Sequence, residues 1–281
     1  MIKNSPSTIL SIITVTKNDL GGLKKTLNSI IGLKIISIIV SATNQELICD
    51  EKNLIKKFER EFQIKYYRQN TKGIFSAMNE GIFYAKSDWI QFINSGDEII
   101  NGKSLIKYLS TLKSKNTNAV FFRSKSLDTK KNFLGMNPVR FPKSIFLYSI
   151  LFKLLPNFFY PNHQSVLFNS DFHKKNLYKD VVIGADQLLI DNINILKNVQ
   201  ICNLIVSKFY CDGISSNSPL NKKQLLKQLK SCYLNAQIIR AIKIIFKYVL
   251  AKFMPKNYLN TIRKFRYKYI GLALDKLMRL F

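Results

Sequence analysis

Apolar residues along the first hundred positions follow two alternating spacings. A continuous β-branched run from Ile9 to Val15 predicts a buried strand, and it ends in the polar residues 16–19. Leu20, Leu23 and Leu27 then recur every three to four residues, which is typical of the buried face of an α-helix. The opening of the chain is therefore predicted to be a strand, a polar loop and a helix.

The same unit repeats down the chain. Strands are predicted at 35–40, 64–67 and 89–93, with helices at 47–58 and 74–85 between them. Strands that alternate with helices predict an α/β fold, in which a mostly parallel sheet is covered by helices on both faces. Such sheets bind ligands beyond the carboxyl ends of their strands, so the polar residues that follow the strands are the first candidates for a site. They are 16–19, 41–44 and 94–98.

Length and composition indicate one folded domain with a smaller appendage. Single domains usually stop growing at roughly 250 residues, and this chain has 281, of which 47% are hydrophobic. The net charge is +27, from 44 Lys and Arg against 17 Asp and Glu. That charge predicts an anionic partner, which is a nucleic acid, a membrane surface or a phosphorylated substrate.

The positive charge is concentrated near the C-terminal end. Residues 221–281 hold 15 Lys and Arg and a single acid, Asp275. Residues 234–253 place apolar side chains on one helical face and basic side chains on another, which predicts an amphipathic basic helix. Such a helix either lies on an anionic membrane or packs on the folded domain. We predict a domain at 1–217 and a basic helical tail at 218–281 that associates with the membrane.

One other strongly apolar segment occurs at 144–160, broken by Lys153 and Pro156. A core helix is the favoured interpretation, ahead of a lipid-facing patch, because large exposed apolar patches are uncommon.

The cysteines, the N-terminal residues and the length of the apolar runs indicate where in the cell the protein is expected. The four cysteines have no spacing typical of a zinc site or a disulfide framework, and two histidines exclude a His-rich metal site. The N-terminal residues lack the features of a signal peptide, and no apolar run reaches about 18 residues. We therefore expect a cytoplasmic protein without a transmembrane helix.

Two stretches carry the most specific signal, Lys72–Gly81 and Trp89–Asp97. Together with the opening stretch Ser11–Asn18, they resemble family 2 glycosyltransferases with the GT-A fold, which is a Rossmann-like α/β arrangement. The resemblance covers roughly residues 9–217 and extends to the subgroup that builds bacterial surface polysaccharides of the colanic acid or O-antigen type. Three further blocks follow in the family's order: His163–Ser165, Gly184–Asp186 and Asp212–Ser216.

This resemblance implies an inverting transfer of a sugar from a nucleotide-sugar donor to a lipid-linked or lipopolysaccharide glycan acceptor. A departing nucleoside diphosphate needs a cation to stabilise its charge, and Mn²⁺ or Mg²⁺ commonly binds through one or two carboxylates plus substrate phosphates. By the resemblance, Asp97 is the metal ligand and the last residue of the family's Asp-any-Asp motif, with Ser95 in place of the first Asp. The structural alternative is an ordinary Asn-Ser-Gly-Asp turn.

The resemblance also assigns the other side chains of the site. Asp186 matches the family's catalytic Asp, which takes the proton of the acceptor hydroxyl, while its structural alternative is the N-cap of a helix. His163 and Gln164 match the family's block near the acceptor. Ser41 stands where the family usually carries the Asp that binds the nucleobase, so base recognition is expected to differ. The donor-binding set is Thr16, Asn18, Ser41, Lys72, Asn79, Ser95 and Asp97.

Two other classes of function stay open on the sequence. The charge and the mixed basic and aromatic residues at 263–269 suit a nucleic-acid-binding protein, although the chain has no recognised nucleic-acid module. The missing nucleobase Asp suits a catalytically inactive scaffold. The favoured expectation is a peripheral enzyme on the inner face of the cytoplasmic membrane, where an anionic surface and a lipid-linked acceptor lie together.

Overall fold

The computed structural model describes residues 8–112, 116–128, 130–179, 184–211, 261 and 264–280. Over these residues the chain forms an α/β fold with one mostly parallel sheet flanked by helices, so the predicted fold class is confirmed.

The first half of the sheet comes from four strands and the three helices between them. Its elements are β1 (Leu10–Thr16), α1 (Leu20–Asn28), β2 (Ile36–Ser41), α2 (Ile48–Phe58), β3 (Gln63–Arg68), α3 (Ile74–Tyr84) and β4 (Trp89–Phe92). The strands lie in the order β3-β2-β1-β4 and pair in parallel, with Thr16 opposite Ser41. Because all four run the same way, their carboxyl ends lie at one edge, as the sequence predicted.

The second half of the sheet mixes strand directions. Its elements are β5 (Glu98–Ile99), α4 (Gly102–Thr111), β6 (Ala119–Leu127), β7 (Phe133–Asn137), α5 (Ile145–Leu154), α6 (Pro156–Phe159), β8 (Val166–Asn169), α7 (Ser170–Lys175), α8 (Ala185–Asp191), α9 (Ile195–Asn198), β9 (Val199–Tyr210) and α10 (Leu272–Leu280). The order continues β4-β8-β6-β9-β5, and β7 pairs with β6. Only β6 and β9 are parallel in this half as the structure describes it.

The core lies on both faces of the sheet because successive strand residues point to opposite sides. On β1, Ile13 packs in one cluster with Met78 of α3, and Ile12 packs in the other with Leu23 of α1. Helix α3 lies so close to β1 that a Cβ atom at Gly81 would come within 2.5 Å of Ile13 Cγ2. The sequence expectation of helices on both faces is therefore confirmed.

Helix α5 lies in the segment 144–160, for which the sequence left a core helix and an exposed apolar patch open, and it has features of both. Tyr148 and Phe152 are buried in the core, whereas Phe146 is 63% exposed and Leu154 is 72% exposed. The helix ends at Leu154, just before Pro156, which starts the short helix α6. One face of α5 is thus a core face, and the other is an exposed apolar stripe.

The end of the chain packs on the domain through α10 and the π-helical turn before it. Met278 belongs to the same core cluster as Tyr148, and the buried carboxylate of Asp275 pairs with Arg123 of β6 at 3.0 Å. The predicted amphipathic helix 234–253 and the predicted boundary at 217 lie outside the described residues. None of the helices that the structure describes is long and apolar enough to cross a bilayer.

Candidate active site

Three polar loops meet at the carboxyl ends of β1, β2 and β4. Asn18 adopts a left-handed conformation with φ of 52°, and its backbone N donates to Thr43 Oγ1 at 3.1 Å. Its side-chain Oδ1 accepts from Asn44 N at 2.8 Å. From the third loop, Ser95 Oγ donates to Asp19 Oδ2 at 2.8 Å. The polar segments that the sequence selected are therefore contiguous in space.

A buried carboxylate that the sequence analysis missed lies under the second loop. Glu51 of α2 is fully buried, and it accepts from Thr43 Oγ1 at 2.6 Å and from Tyr66 OH at 2.9 Å. A signal was present, since Glu51 falls on the apolar face of α2 between Ile48 and Ile55. Because a buried carboxylate needs hydrogen-bond donors, Glu51 fixes the loop through Thr43.

Two predicted donor-binding side chains lie beneath the loops. Ser41 is fully buried and its hydroxyl accepts from Thr43 N at 3.1 Å. Thr16 is also buried, and its hydroxyl has no hydrogen-bond partner among the described residues. Neither hydroxyl faces open solvent in this conformation, because β1 and β2 are interior strands covered on both sides.

Asp97 sits in a tight turn at the start of β5. Its backbone N donates to Asn94 O at 3.0 Å, and Gly96 supplies the left-handed φ of 93° that the turn requires. The side chain is 5% exposed, with Oδ1 accepting from Tyr210 N at 3.0 Å and Oδ2 from Gln164 Nε2 at 2.9 Å. Asn94 to Asp97 thus form the turn considered from sequence, and that turn also presents a buried carboxylate.

Burial is the main influence on the pKa of Asp97. Burial raises the pKa of Asp97 to about 7, and the hydrogen bonds from Tyr210 and Gln164 together with the charge of Lys25 offset part of that rise. The neighbouring Glu98 forms ion pairs with Lys25 at 3.4 Å and Lys208 at 3.2 Å. Burial acts to raise the pKa of Glu98, but its hydrogen bonds and these cations outweigh burial and hold that pKa below its ordinary value.

The other two predicted donor residues lie on and before α3. Lys72 is exposed in the loop that precedes the helix, next to Gly73, whose φ of 115° begins α3. Both polar atoms of the Asn79 side chain bond to the backbone of Tyr178: Nδ2 donates to Tyr178 O and Oδ1 accepts from Tyr178 N, both at 2.9 Å. Asn79 therefore anchors another segment of the chain in this structure.

His163 and Gln164, which the resemblance assigns to the acceptor side, precede β8 and are both buried. While Gln164 bonds Asp97, His163 turns to the opposite side, where its Nε2 lies 2.6 Å from Tyr178 OH. The same hydroxyl lies 3.1 Å from Nε2 of His173, so one tyrosine bridges the two histidines of the chain. The sequence analysis missed Tyr178 and His173, and their spacing carried no signal.

Asp186 lies in the first turn of α8, and its side chain is half-buried. The N-cap position is held by Gly184, with φ of 88°, so the N-cap alternative for Asp186 is wrong. The carboxylate is near enough to influence His163 and Tyr178 electrostatically: burial lowers the pKa of His163 and raises that of Tyr178, while the charge of Asp186 raises both. The block Asp212–Ser216 lies outside the described residues.

The described residues of this site would supply only part of the coordination shell of a divalent cation. No cluster of three or more His, Cys, Asp and Glu suited to a metal occurs in the part of the chain that the structure describes. Asp97 offers its carboxylate. The side-chain oxygens of Asn94, in the same turn, and of Gln164, whose nitrogen donates to Asp97, are buried and have no partner among the described residues. Oxygen donors suit Mg²⁺ and Mn²⁺, and substrate phosphates would have to complete the coordination shell.

This mostly parallel sheet, with polar loops at its carboxyl edge and a buried acid in the turn that follows β4, has the arrangement of a GT-A glycosyltransferase. Residues 11–175 match the family described as Glycosyl transferase family 2, and the chain belongs to that family. No curated protein matches the chain.

Solved structures give the same fold. Staphylococcus aureus TarS aligns with a TM-score of 0.55 at 14% identity, covering 89% of this chain and 44% of that one, so this chain spans less than half of TarS. TarS 1–349 in complex with UDP-GlcNAc aligns with a TM-score of 0.52 at 12% identity, covering 95% and 75%. The mannosyltransferase PcManGT from Pyrobaculum calidifontis, in complex with GDP-Man and Mn²⁺, gives 0.54 at 10% identity, covering 98% and 88%. At these identities the likeness establishes the fold alone.

Proposed function

We propose that the chain is an inverting, metal-dependent glycosyltransferase that moves a sugar from a nucleotide-sugar donor to a lipid-linked glycan acceptor. The observation that carries this proposal is the pair His163–Gln164. Gln164 donates to Asp97 at 2.9 Å, and the adjacent His163 lies within the electrostatic reach of Asp186. Two adjacent residues thus link the proposed donor acid to the proposed acceptor base, which supports a transfer between two substrates held side by side.

The proposed role of Asp97 is to hold the cation against the donor diphosphate. Each carboxylate oxygen has two lone pairs, and Gln164 and Tyr210 occupy one on each oxygen. The remaining lone pairs, with the unpartnered amide oxygens of Asn94 and Gln164, suit Mn²⁺ or Mg²⁺. When bound, the cation neutralises the charge that develops on the leaving diphosphate. The UDP-GlcNAc and GDP-Man complexes of the structural neighbours support a nucleotide-sugar donor.

The proposed role of Asp186 is to take the proton of the acceptor hydroxyl as that oxygen attacks the anomeric carbon. Its half-buried position at the start of α8 leaves it open to a substrate, and the neighbouring His163 is held neutral by burial at ordinary pH. Attack by the acceptor on the face opposite the leaving diphosphate inverts the anomeric centre.

The proposed acceptor is lipid-linked, within O-antigen, capsule or lipopolysaccharide synthesis at the inner face of the cytoplasmic membrane. Support comes from the exposed apolar stripe of α5, at Phe146 and Leu154, and from the basic residues 221–281. Exposed apolar side chains and a strongly basic segment both suit an anionic membrane surface.

Two isosteric substitutions test the assigned roles. Asp97→Asn keeps the size of the side chain and removes its charge, so binding of UDP or GDP in the presence of Mn²⁺ should fall below detection in calorimetry. Asp186→Asn should bind the same nucleotides as the wild type, yet lose on the order of 100-fold or more in turnover. Turnover is read as nucleoside diphosphate released from UDP-GlcNAc or GDP-Man with a membrane extract as acceptor.

Asp88→Asn is the matched control, because Asp88 is exposed just before β4 whereas Asp97 follows that strand. If Asp97→Asn binds nucleotide and Mn²⁺ normally but is less stable to urea, Asp97 only holds the turn and the metal assignment is wrong. If the wild type binds neither nucleotide, the inactive-scaffold alternative replaces the enzyme.

A further inference from the structure

The hydroxyl of Tyr178 forms two hydrogen bonds that the proposed chemistry does not use. It lies 2.6 Å from His163 Nε2 and 3.1 Å from His173 Nε2, and all three side chains are buried. Phe92 packs against them, with its ring centroid 5.0 Å from that of His163 and 5.5 Å from that of Tyr178. The two bonds connect the residues before β8 with helix α7 and with the segment that leads to Asp186.

The donor and acceptor of each bond to Tyr178 OH follow from the hydrogen bond that His173 makes with Asn176. His173 Nδ1 lies 3.1 Å from the backbone oxygen of Asn176, and because a carbonyl only accepts, Nδ1 carries the proton. Burial lowers the pKa of His173 to about 4, so its ring is neutral near pH 7 and Nε2 has a lone pair. Tyr178 OH therefore donates to His173. A hydroxyl has only one proton, so the Tyr178 oxygen accepts from His163, and the proton of His163 must be on Nε2.

We propose that Tyr178 is a positioning residue for His163, which fixes the imidazole proton on Nε2 and leaves Nδ1 as a hydrogen-bond acceptor. This inference rests on the proposed function, in which Asp186 is the neighbouring base. An imidazole with a free lone pair accepts a bond from a sugar hydroxyl, and it does not pair with a diphosphate as a cation would.

The position of Tyr178 is itself secured. The amide of Asn79 forms two bonds of 2.9 Å with the backbone of Tyr178, across 99 residues of sequence. The ring of Tyr178 also packs on Phe75, with the centroids 5.4 Å apart. The family motif helix α3 therefore holds Tyr178 in place, and Tyr178 holds His163.

The full chain labelled with ¹⁵N-histidine tests this directly, because its spectrum contains only two imidazoles. The wild type should show His163 protonated on Nε2 and His173 protonated on Nδ1, with the signals assigned from a His173→Gln sample. In Tyr178→Phe, His163 should shift to a mixture of both tautomers, since its Nε2–H has lost its acceptor. His173 should keep its tautomer, because Asn176 still accepts from Nδ1. Loss of the fixed orientation should lower kcat on the order of tenfold or more, with nucleotide affinity unchanged.

Tyr148→Phe is the matched control, as Tyr148 is fully buried in the same core cluster and its hydroxyl donates to a backbone oxygen at 3.1 Å. It should lose stability without changing either imidazole. The proposal is overturned if wild-type His163 carries its proton on Nδ1, if Tyr178→Phe leaves the tautomer of His163 unchanged, or if the tautomer changes while kcat stays at the wild-type value. Failure of the proposed function is a separate result, because a wild type without turnover still gives the imidazole spectrum.

Discussion

Two buried groups in the site respond to pH in opposite directions. Burial lowers the pKa of His173 to about 4, below its ordinary value of 6.5, and raises the pKa of Asp97 from 3.8 to about 7. Both shifts have one cause, since burial disfavours the charged form of either group. The protein thus keeps an uncharged imidazole at His173 and a readily protonated acid at Asp97, and the two are connected through Tyr178, His163 and Gln164.

The pH dependence of stability should reveal each group through its own variant. Between pH 4 and 6.5 the unfolded state binds more protons at His173 than the native state, so this residue makes stability fall as pH falls, by on the order of 3 kcal/mol in all. Asp97 does the reverse: between pH 4 and 7 the native state binds more protons, so stability falls as pH rises. Urea unfolding across this range should give difference curves of opposite slope for His173→Gln and Asp97→Asn, each against the wild type.

Parallel difference curves, or flat ones, would show that the two groups are not buried as the structure has them. Lys72→Gln provides the baseline, because Lys72 is exposed in a loop and should leave the curve of the wild type unchanged.

At the scale of elements, the last helix is held on the domain by a buried ion-pair cluster. Asp275 of α10 accepts from Arg123 at 3.0 Å, from Arg140 at 3.3 Å and from Arg279 at 3.2 Å. Arg123 is itself buried on β6, where it also donates to the backbone oxygens of the segment before α5. A buried guanidinium without its carboxylate is costly, so α10 is required to satisfy the interior of β6.

Asp275→Asn should therefore lower the free energy of unfolding by about 3–5 kcal/mol, because it leaves Arg123 as an uncompensated buried charge. The measurement is urea unfolding followed by circular dichroism. Arg279→Gln is the control within the same cluster: its side chain is 64% exposed, and exposed pairs contribute roughly 0–1 kcal/mol. Equal and small effects of the two changes would mean that α10 is not coupled to the fold.

At the scale of the whole molecule, charge and exposed apolar area act together. The net charge is +27, and the exposed stripe of α5 offers Phe146 and Leu154. Charge alone attracts any polyanion, whereas a membrane surface also takes up apolar side chains. A partner whose binding depends on the exposed apolar side chains as well as on charge is therefore a membrane and not a nucleic acid.

Phe146→Ser should weaken binding to anionic phosphatidylglycerol vesicles on the order of tenfold, because moving a Phe side chain into an apolar layer is worth about 1.5–3 kcal/mol. Phe83→Ser is the matched control, since Phe83 is 62% exposed but lies on α3, which packs over β1 and β2. Binding is followed by cosedimentation, and added salt should weaken it for every variant. Equal binding of both variants, together with tight binding to generic duplex DNA, would favour the nucleic-acid alternative.

The sequence by itself determined the strands and helices of the first half, the α/β class and the family. These follow from local periodicity: β1 through β4 are short apolar runs, and α1 and α3 repeat apolar residues at helical spacing. The convergence of the loops after β1, β2 and β4 was also predictable, because parallel strands carry their carboxyl ends to one edge.

Only the tertiary structure decided which polar groups are buried and what they contact. Gln164 reaches Asp97 across 67 residues and Arg123 reaches Asp275 across 152, and no periodicity records such pairs. The same holds for Tyr178, whose hydroxyl bonds two histidines only because α3, α7 and Phe92 of β4 pack around it. Hydrophobic spacing is a property of a segment, whereas the burial of a charge and the direction of its hydrogen bonds depend on every element that packs against it.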